Sequence, residues 1–276
     1  MTRLPPQNKI SSKYIDAYYF LKSDEEKFDE SFTHYPHYRT TLNIYNRSKV
    51  EIFENKRIIS FDSENDVVTV FTNNISTAKQ AVLRGPFDII GILFKPLGIN
   101  QFTRDDFLSK FDHPVVVFNN FWSGHVNDLS NVFNENSNDK KVLLLDELLL
   151  KLYNPLNEER LSKIVQKILD SKGAIKVKEL EVLFTVNRRT LLRLFKTYLG
   201  CSISEFKRVT RFRNTIDSYQ NSPTRTSFTE LCYDNNYYDQ SDFINHFKSL
   251  SGEIPKEVLP KITKVDQTDL YWKFRV

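Results

Sequence analysis

The chain has 276 residues, of which 40% are hydrophobic and 13% aromatic, and its formal net charge is +4. This length allows two domains with separate cores, and the apolar content excludes an intrinsically disordered chain. Only Cys201 and Cys232 are present, which excludes a disulfide framework or a zinc site built on cysteine pairs. No apolar run resembles a signal peptide or could cross a bilayer, so we expect a cytoplasmic protein with no membrane partner.

The first 120 residues alternate short runs rich in β-branched and aromatic residues with turn signals. Because no helical pattern separates these runs, they indicate a small sandwich or barrel of strands. The predicted strands are 40–46, 49–53, 66–71, 87–94 and 114–118.

Helical patterns follow, first in a segment around Leu129 and then in a leucine-rich segment over 142–152. The second segment either closes the N-terminal domain or forms a surface for a partner, because its apolar residues exceed one stripe. Asn154 and Pro155 then break the helix, since proline lacks the backbone N–H and disfavours α conformation in the preceding residue. We therefore predict an α+β chain with an N-terminal domain over 1–153, a helical domain over 154–260 and a C-terminal tail over 261–276.

The helical domain begins with an amphipathic helix whose apolar residues recur at helical spacing from Leu161 to Leu169, with Asn157 as its expected N-cap. That helix ends near Gly173. A short helix over about 177–184, a break at 185–186 and a second helix from Asn187 follow. Two helices joined by so short a turn are typical of a helix-turn-helix, whose second helix enters the DNA major groove.

The helix that starts after Asn187 has a cationic face. At 100° per residue its basic side chains share one side with a leucine, while the other apolar residues gather on the opposite side. A solvated surface helix is the plainer interpretation. Arginine suits bidentate contacts with phosphate or guanine, however, which favours an anionic partner. The cationic side comprises Arg188, Arg189, Leu192, Arg193 and Lys196.

The charge is distributed unevenly around this helix. Residues 172–213 hold eleven basic and three acidic side chains, whereas residues 214–257 hold three basic and seven acidic ones. A positive field concentrated in one segment is the electrostatic footprint expected of a nucleic-acid-binding surface.

The helical pattern then recurs. Ser202 and Glu205 have the spacing of a capping box that opens a long helix to about residue 219. A short helix over 228–234 and a second one over SDFINHFKSL follow, with Phe243 and Phe247 on the inner side. The sequence thus predicts two helix-turn-helix units joined by one helix.

The segment LCYDNNYYDQSDFINHFKSLSGEIP and the earlier positions Leu180, Asn187, Leu191, Arg193 and Gly200 carry a family pattern. Over residues 158–258 the chain resembles the double helix-turn-helix domain of the AraC/XylS family of bacterial transcription regulators. The resemblance implies two recognition helices set in successive major-groove turns of DNA.

The resemblance also implies the residues that face DNA. The base-facing positions are Arg189, Leu192, Arg193, Gln240, Ser241, Asp242 and Asn245. The expected phosphate contacts, which position the protein without reading sequence, are Arg188, Lys196, Arg208 and Arg211. The alternative for Gln240, Ser241 and Asn245 is helix capping and exposure to solvent.

Three departures from the family pattern concern the turns and the second recognition helix. Thr185 and Asn236 stand where the family commonly has glycine, and Asn245 stands where it often has arginine. Asparagine tolerates left-handed backbone better than threonine does. Because the second unit is also acidic, we expect the first unit to supply most of the DNA affinity.

The N-terminal half resembles, through YIDAYYFL and FDIIGILFKPLGINQF, the uncharacterised N-terminal domains of one branch of this family. Its better-known members carry cupin-like barrels there, which implies a sensor for a small-molecule effector. A protein-interaction or dimerisation module without a ligand is the alternative.

An enzyme is the alternative of a different class. Cupin barrels often hold a metal through histidines, but only His34 and His37 lie close together in the sequence. DNA-repair relatives use a reactive cysteine, whereas both cysteines here fall in the helical half. We therefore predict a sequence-specific transcription regulator with no catalytic residue, metal or cofactor. Its expected partners are double-stranded DNA, an effector or a second copy, and RNA polymerase if it activates.

Overall fold

The computed structural model of the chain describes residues 1–103, 108, 111, 113–222, 227–264 and 271–274, with the backbone alone for 263–264 and 271–274. These residues fall into two compact units. The first comprises Met1–Ser31, Arg39–Asn73 and Gln80–Asn157, and the second comprises Phe32–Tyr38, Asn74–Lys79 and Glu158–Val276.

The strands of the N-terminal half form two sheets. In the first sheet the order is β1-β2-β9-β4-β7-β10, with antiparallel neighbours throughout; in the second, β5, β6, β8 and β3 follow one another, with β6 and β8 parallel. The strands are β1 (Thr2–Leu4), β2 (Ile15–Ser23), β3 (Asp29–His34), β4 (Thr40–Asn46), β5 (Ser48–Ile52), β6 (Lys56–Phe61), β7 (Val67–Thr72), β8 (Lys79–Arg84), β9 (Phe87–Phe94) and β10 (Val115–Val117).

The mainly-β N-terminal half followed by helices confirms the predicted fold class. The predicted strands at 40–46 and 87–94 coincide with β4 and β9, and the other three lie within two residues of β5, β7 and β10. The sequence patterns missed β1, β2, β3, β6 and β8. Several of these strands mix charged residues among the apolar ones, as KRIISF and KQAVLR do, so neither has more than two adjacent β-branched residues.

The core of the first unit lies between one face of the first sheet and three helices. The helices are α1 (Ser11–Tyr14), α2 (Val126–Asn134) and α3 (Asn138–Leu152). Leucines of the predicted leucine-rich segment, such as Leu145 and Leu149, are fully buried in one cluster with Tyr18 and Ile90 of the sheet. Most of that segment therefore serves the core of its own unit, and Leu143 is its exposed exception.

A buried carboxylate fixes the start of the chain to α3. Asp146 is 3% exposed and accepts hydrogen bonds from the backbone N–H groups of Gln7 and Asn8, each at 2.8 Å, and from the Tyr18 hydroxyl at 2.6 Å. Three donors satisfy the oxygens that burial removes from water. Burial of the phenol and, to a smaller extent, the neighbouring Asp146 carboxylate raise the pKa of Tyr18, so Tyr18 stays a hydrogen-bond donor.

The second unit contains the predicted helical domain. Its helices are α4 (Glu159–Asp170), α5 (Val177–Leu183), α6 (Arg188–Leu199), α7 (Ile203–Gln220), α8 (Phe228–Asp234), α9 (Gln240–Ser251) and α10 (Pro255–Val258). The backbone of β12 (Tyr271–Phe274) pairs with β11 (Thr263–Lys264) and, antiparallel, with residues 32–34 at the end of β3.

Two of the three predicted helix starts are confirmed. Asn187 caps α6 by accepting a hydrogen bond from Thr190 N at 2.8 Å, and Ser202 and Glu205 form the capping box of α7. The predicted N-cap of α4 is wrong by one residue. Glu158, not Asn157, is the N-cap, and its side chain makes no capping hydrogen bond. The buried apolar stripe of α4 fixes that helix, so its first turn does not depend on a polar cap.

The turns of both helix-turn-helix units pass through left-handed backbone. Thr185 has φ 47° and Asn236 has φ 60°, which are the two positions where the family commonly has glycine. Left-handed φ brings Cβ close to the backbone carbonyl, and a β-branched residue tolerates it least. The exposed Thr185 side chain gains no burial in return.

We predict that Thr185→Gly raises the free energy of unfolding by about 1 kcal/mol, because glycine removes this steric strain. Urea-induced unfolding of the full chain measures the change. Asn236→Gly is the matched control and should shift the free energy by only a few tenths of a kcal/mol, since asparagine already accepts this conformation. Destabilisation by Thr185→Gly would contradict the assignment of strain.

One arginine of α7 is part of the interior of the second unit. Arg213 is 3% exposed, and its guanidinium donates Nε–H to the carbonyl of Pro36 at 2.6 Å and Nη2–H to that of Tyr35 at 3.0 Å. The Tyr35 ring lies 6.4 Å from that of Phe212. The segment 32–38 is thereby held on α7 by a charged donor and an aromatic contact.

Arg213→Ala should lower the free energy of unfolding by about 2 to 4 kcal/mol, because two carbonyls lose a charged donor that water does not replace. Thermal unfolding of the full chain tests this expectation. Arg208→Ala on the same helix, where the side chain is exposed, should cost less than about 1 kcal/mol. Equal effects of the two substitutions would rule out the structural role of Arg213.

Candidate nucleic-acid interface

The cationic side of α6 faces solvent. Arg188, Arg189, Arg193 and Lys196 are exposed, and Leu192 is 47% exposed among them. The opposite side of the helix is buried against the rest of the unit through Leu191, Leu194, Phe195 and Leu199. The structure therefore brings all five residues predicted for this helix onto one accessible surface.

The first turn of α6 places positive charge where a helix least favours it. The turn contains no acidic residue, and Arg188 and Arg189 are its first two residues. The free N–H groups of a helix N-terminus already carry partial positive charge, so cations there cost stability unless an anion is bound. N–H groups and guanidinium groups together make this end suitable for phosphate.

The other predicted phosphate contacts are partly engaged within the protein. Lys196 Nζ lies 3.9 Å from Glu205 Oε2 in an exposed ion pair, and Arg208 Nη2 donates to Ser249 Oγ at 2.7 Å. Arg211 is half-buried with its guanidinium over the Tyr237 ring, 5.4 Å from the centroid. Such exposed pairs are weak and can exchange for a phosphate, whereas the ring contact of Arg211 is harder to replace.

The second recognition helix, α9, begins with acidic residues instead. Asp239 is its N-cap and accepts a hydrogen bond from Asp242 N at 2.7 Å, while Asp242 Oδ2 accepts one from Tyr238 N at 3.2 Å. These reciprocal bonds satisfy two backbone donors and favour the helix dipole. Asp242 is thus a capping residue here, and the sequence could have indicated Asp239 through the Asp-x-x-Asp spacing.

The remaining predicted residues of α9 are exposed at its start. Gln240, Ser241 and Asn245 all face solvent, and Gln240 Nε2 donates to Thr229 Oγ1 of α8 at 2.6 Å. This bond orients the Gln240 amide across the turn of the unit. Tyr238, two residues before Gln240, is 88% exposed and was not among the predicted site residues.

A buried polar cluster, which no sequence pattern indicated, packs behind α9 and supports it. The Tyr237 hydroxyl lies 2.9 Å from His246 Nδ1 and 3.2 Å from Thr215 Oγ1 of α7. Burial, with the nearby Arg208 and Arg211, lowers the pKa of His246 to about 4. The imidazole is therefore neutral at neutral pH, and the cluster ties the recognition helix to α7 without a charge.

The cysteines do not form part of this surface. Both are buried, Cys201 to 1% and Cys232 to 0% exposure. Burial raises the pKa of each thiol, which disfavours the nucleophilic thiolate. Within the described residues no group of three or more His, Cys, Asp or Glu side chains could hold a metal ion.

Comparison with known proteins assigns the second part of the chain to a domain family. Residues 183–260, from the end of α5 past α10, match the family described as "Helix-turn-helix domain". No curated protein matches the chain at significant similarity. No helix in the described part of the chain is long and apolar enough to span a membrane.

Solved structures of ToxT from Vibrio cholerae are similar to the chain over most of its length. One has a TM-score of 0.48 at 13% identity and covers 88% of this chain and 97% of that one. Wild-type ToxT bound to an unsaturated fatty acid has a TM-score of 0.46 at 15% identity and covers 88% of this chain and 94% of that one. These sequence identities and TM-scores are too low to transfer a function from ToxT to this chain.

The lowered pKa of His246 makes stability depend on pH. An unfolded histidine takes up a proton near pH 6.5, whereas the folded one does so only near pH 4. We therefore predict that the free energy of unfolding falls as pH falls from about 6.5 to about 4, by about 1 kcal/mol per pH unit.

Urea-induced unfolding at several pH values measures this slope. His246→Gln should flatten it, because glutamine does not titrate, while His113→Gln at an exposed position serves as the control. A slope that His246→Gln leaves unchanged would assign the pH dependence to other groups.

Proposed function

We propose that this DNA-binding transcription regulator, which carries an AraC-type helix-turn-helix domain over residues 183–260, recognises promoter sequences through two helix-turn-helix units and is controlled through its N-terminal domain. The observation that carries the proposal is the N-terminal half of α6. Arg188, Arg189 and Arg193 are exposed there against the helix dipole, with no acidic residue in the first turn. An arrangement that costs helix stability and matches an anion is expected at a functional site.

In the proposed complex α6 lies in the major groove. Arg189, Leu192 and Arg193 face base edges, where an arginine can bind guanine O6 and N7 through two hydrogen bonds and a leucine can contact a thymine methyl group. Arg188 and Lys196 flank them and contact phosphates. Arg208 can join them after releasing Ser249, and Arg211 contributes less because its guanidinium lies on the Tyr237 ring.

The second unit contributes more to base preference than to affinity. Gln240, Ser241 and Asn245 offer neutral hydrogen-bonding groups, whereas the carboxylates of Asp239 and Asp242 at the start of α9 repel phosphates. Contacts with α7 hold α9 in place, so these side chains project from a fixed helix. We therefore propose that the second unit adds base preference but contributes little electrostatic binding free energy.

A cavity in the N-terminal domain supports the proposal that a small-molecule effector controls the protein. A cavity of 530 Å³ lies within the first unit and is lined by side chains from β2, β9 and α2, among them Lys22, Asp88 and Phe133. A neighbouring cavity of 320 Å³ shares these three residues and adds Lys141. Burial raises the pKa of Asp88. Both cations and carboxylates line the walls, which favours a polar effector with charges of both signs.

Selection of bound sequences from a random duplex library with the full chain tests this function. A motif that spans two major-groove turns is expected for recognition by both units, and a motif of one half-site would assign specificity to the first unit alone. Enrichment of no sequence, at low and at near-physiological salt, would contradict sequence-specific binding. Thermal-shift screening of small polar molecules identifies compounds that bind the chain. Repeating the selection with and without such a compound shows whether DNA binding depends on an effector.

Arg193→Ala should weaken binding to the selected sequence by about 1 to 3 kcal/mol and relax base preference at one position. Lys196→Ala should instead weaken binding to all sequences alike and reduce the dependence of log K on log salt by about 0.9. Competition binding on selected and random duplexes measures both effects. Lys163→Ala, an exposed lysine of α4 paired with Glu159, is the control for loss of charge. Equal losses on the two duplexes for Arg193→Ala and Lys196→Ala would remove the distinction between base and phosphate contacts.

Asn245→Ala should cost less binding free energy than Arg193→Ala on the same selected duplex, because α9 has no cation in its first turn. The same competition assay compares the two variants. A larger loss for Asn245→Ala would reverse the proposed order of the units.

A further inference from the structure

The second sheet ends in a strand with an open edge. β5 follows β6 at the end of the strand order, and no other described strand pairs with its outer side. An edge strand presents unpaired N–H and C=O groups, to which another chain can add a strand.

The hairpin fixes which residues face that edge. Phe53 N donates to the carbonyl of Lys56 at 2.8 Å. Because hydrogen-bonded pairs alternate in an antiparallel ladder, the backbone N–H and C=O groups of Phe53 and of every second residue before it point toward β6. The backbone groups of the alternate residues Ser48, Val50 and Ile52 therefore point away from β6; Ser48 is buried, whereas Val50 and Ile52 are accessible. Val50 lies at the centre of this outward set.

The charges beside Val50 are self-complementary. Lys49 and Glu51 lie on the outer face of β5, with side chains 57% and 43% exposed and 3.3 Å apart. In an antiparallel pair of two β5 strands centred on Val50, each Lys49 stands opposite the Glu51 of the other copy. A shift of two residues in register would place two lysines or two glutamates opposite each other, which is unfavourable.

The apolar residues at the end of β5 also lack cover. Ile52 is 36% and Phe53 54% exposed. By contrast, the leucine-rich helix α3, which the sequence offers as a dimer seam, places Leu145 and Leu149 in the core of its own unit. The β5 edge thus combines open backbone groups, exposed apolar side chains and charge complementarity with itself.

We propose that two copies of this chain dimerise by antiparallel pairing of their β5 strands about Val50. The two copies meet through the same residues, as a two-fold axis requires. The Val50 residues exchange two backbone hydrogen bonds, and the two Lys49–Glu51 pairs fix the register. This inference does not depend on DNA binding, but a dimer would present two DNA-binding units together.

Sedimentation of the full chain without DNA, from about 1 to about 300 µM, tests the dimer. The wild-type chain should show a concentration-dependent dimer. Lys49→Glu should weaken it about tenfold, because like charges then oppose each other at two sites. The double variant Lys49→Glu/Glu51→Lys should restore it. A mixture of the single variants Lys49→Glu and Glu51→Lys should also restore it, because opposite charges then face each other in the heterodimer. Lys140→Glu on α3 is the control for charge reversal.

Val50→Pro tests the backbone pairing directly. Its N–H faces the open edge, so proline should remove the dimer and leave the β5–β6 ladder intact. Circular dichroism and the melting temperature verify that each variant is folded. A monomer at every concentration overturns the proposal, as does a dimer that neither Lys49→Glu nor Val50→Pro weakens. Since no DNA is present, these outcomes are independent of the outcome for promoter recognition.

Discussion

The aromatic stripe of α7 is the contact on which the DNA-binding unit depends. Phe206 meets Phe195 of α6 with ring centroids 5.7 Å apart, and Phe212 meets Phe247 of α9 at 4.8 Å. Each ring is fully buried, which contributes about 2 to 3 kcal/mol per side chain. One helix therefore holds both recognition helices, and their mutual orientation is a property of its buried face.

With α6 and α9 fixed in this way, their exposed starts can differ without loss of fold. The first turn of α6 carries arginines against its dipole, whereas α9 is capped by two aspartates that favour the helix. Packing on α7 offsets the local cost in α6, because most helical stability in proteins comes from the buried face. The proposed division of labour, affinity from α6 and added selectivity from α9, follows from this difference in charge.

The N-terminal unit also depends on one shared apolar core. Its first sheet and the leucines of α3 share one core, and Asp146 anchors the beginning of the chain there. A polar cavity between strands and α2 and the open edge of β5 are both accessible in this unit. These two features correspond to the effector and the dimerisation alternatives that the sequence leaves open, and they can coexist because they occupy different parts of the unit.

The sequence by itself determined α4 to α9 of the second unit, the Asn187 cap and the exposed face of α6, because these depend on neighbours within a few residues. Only the tertiary structure decided the burial of Arg213, which belongs to the basic segment in the sequence but binds carbonyls of residues 35 and 36. It likewise gave Arg211 its aromatic partner and revealed five strands that the sequence patterns missed. The physical reason is that these contacts join residues far apart in the chain, and no local periodicity records them.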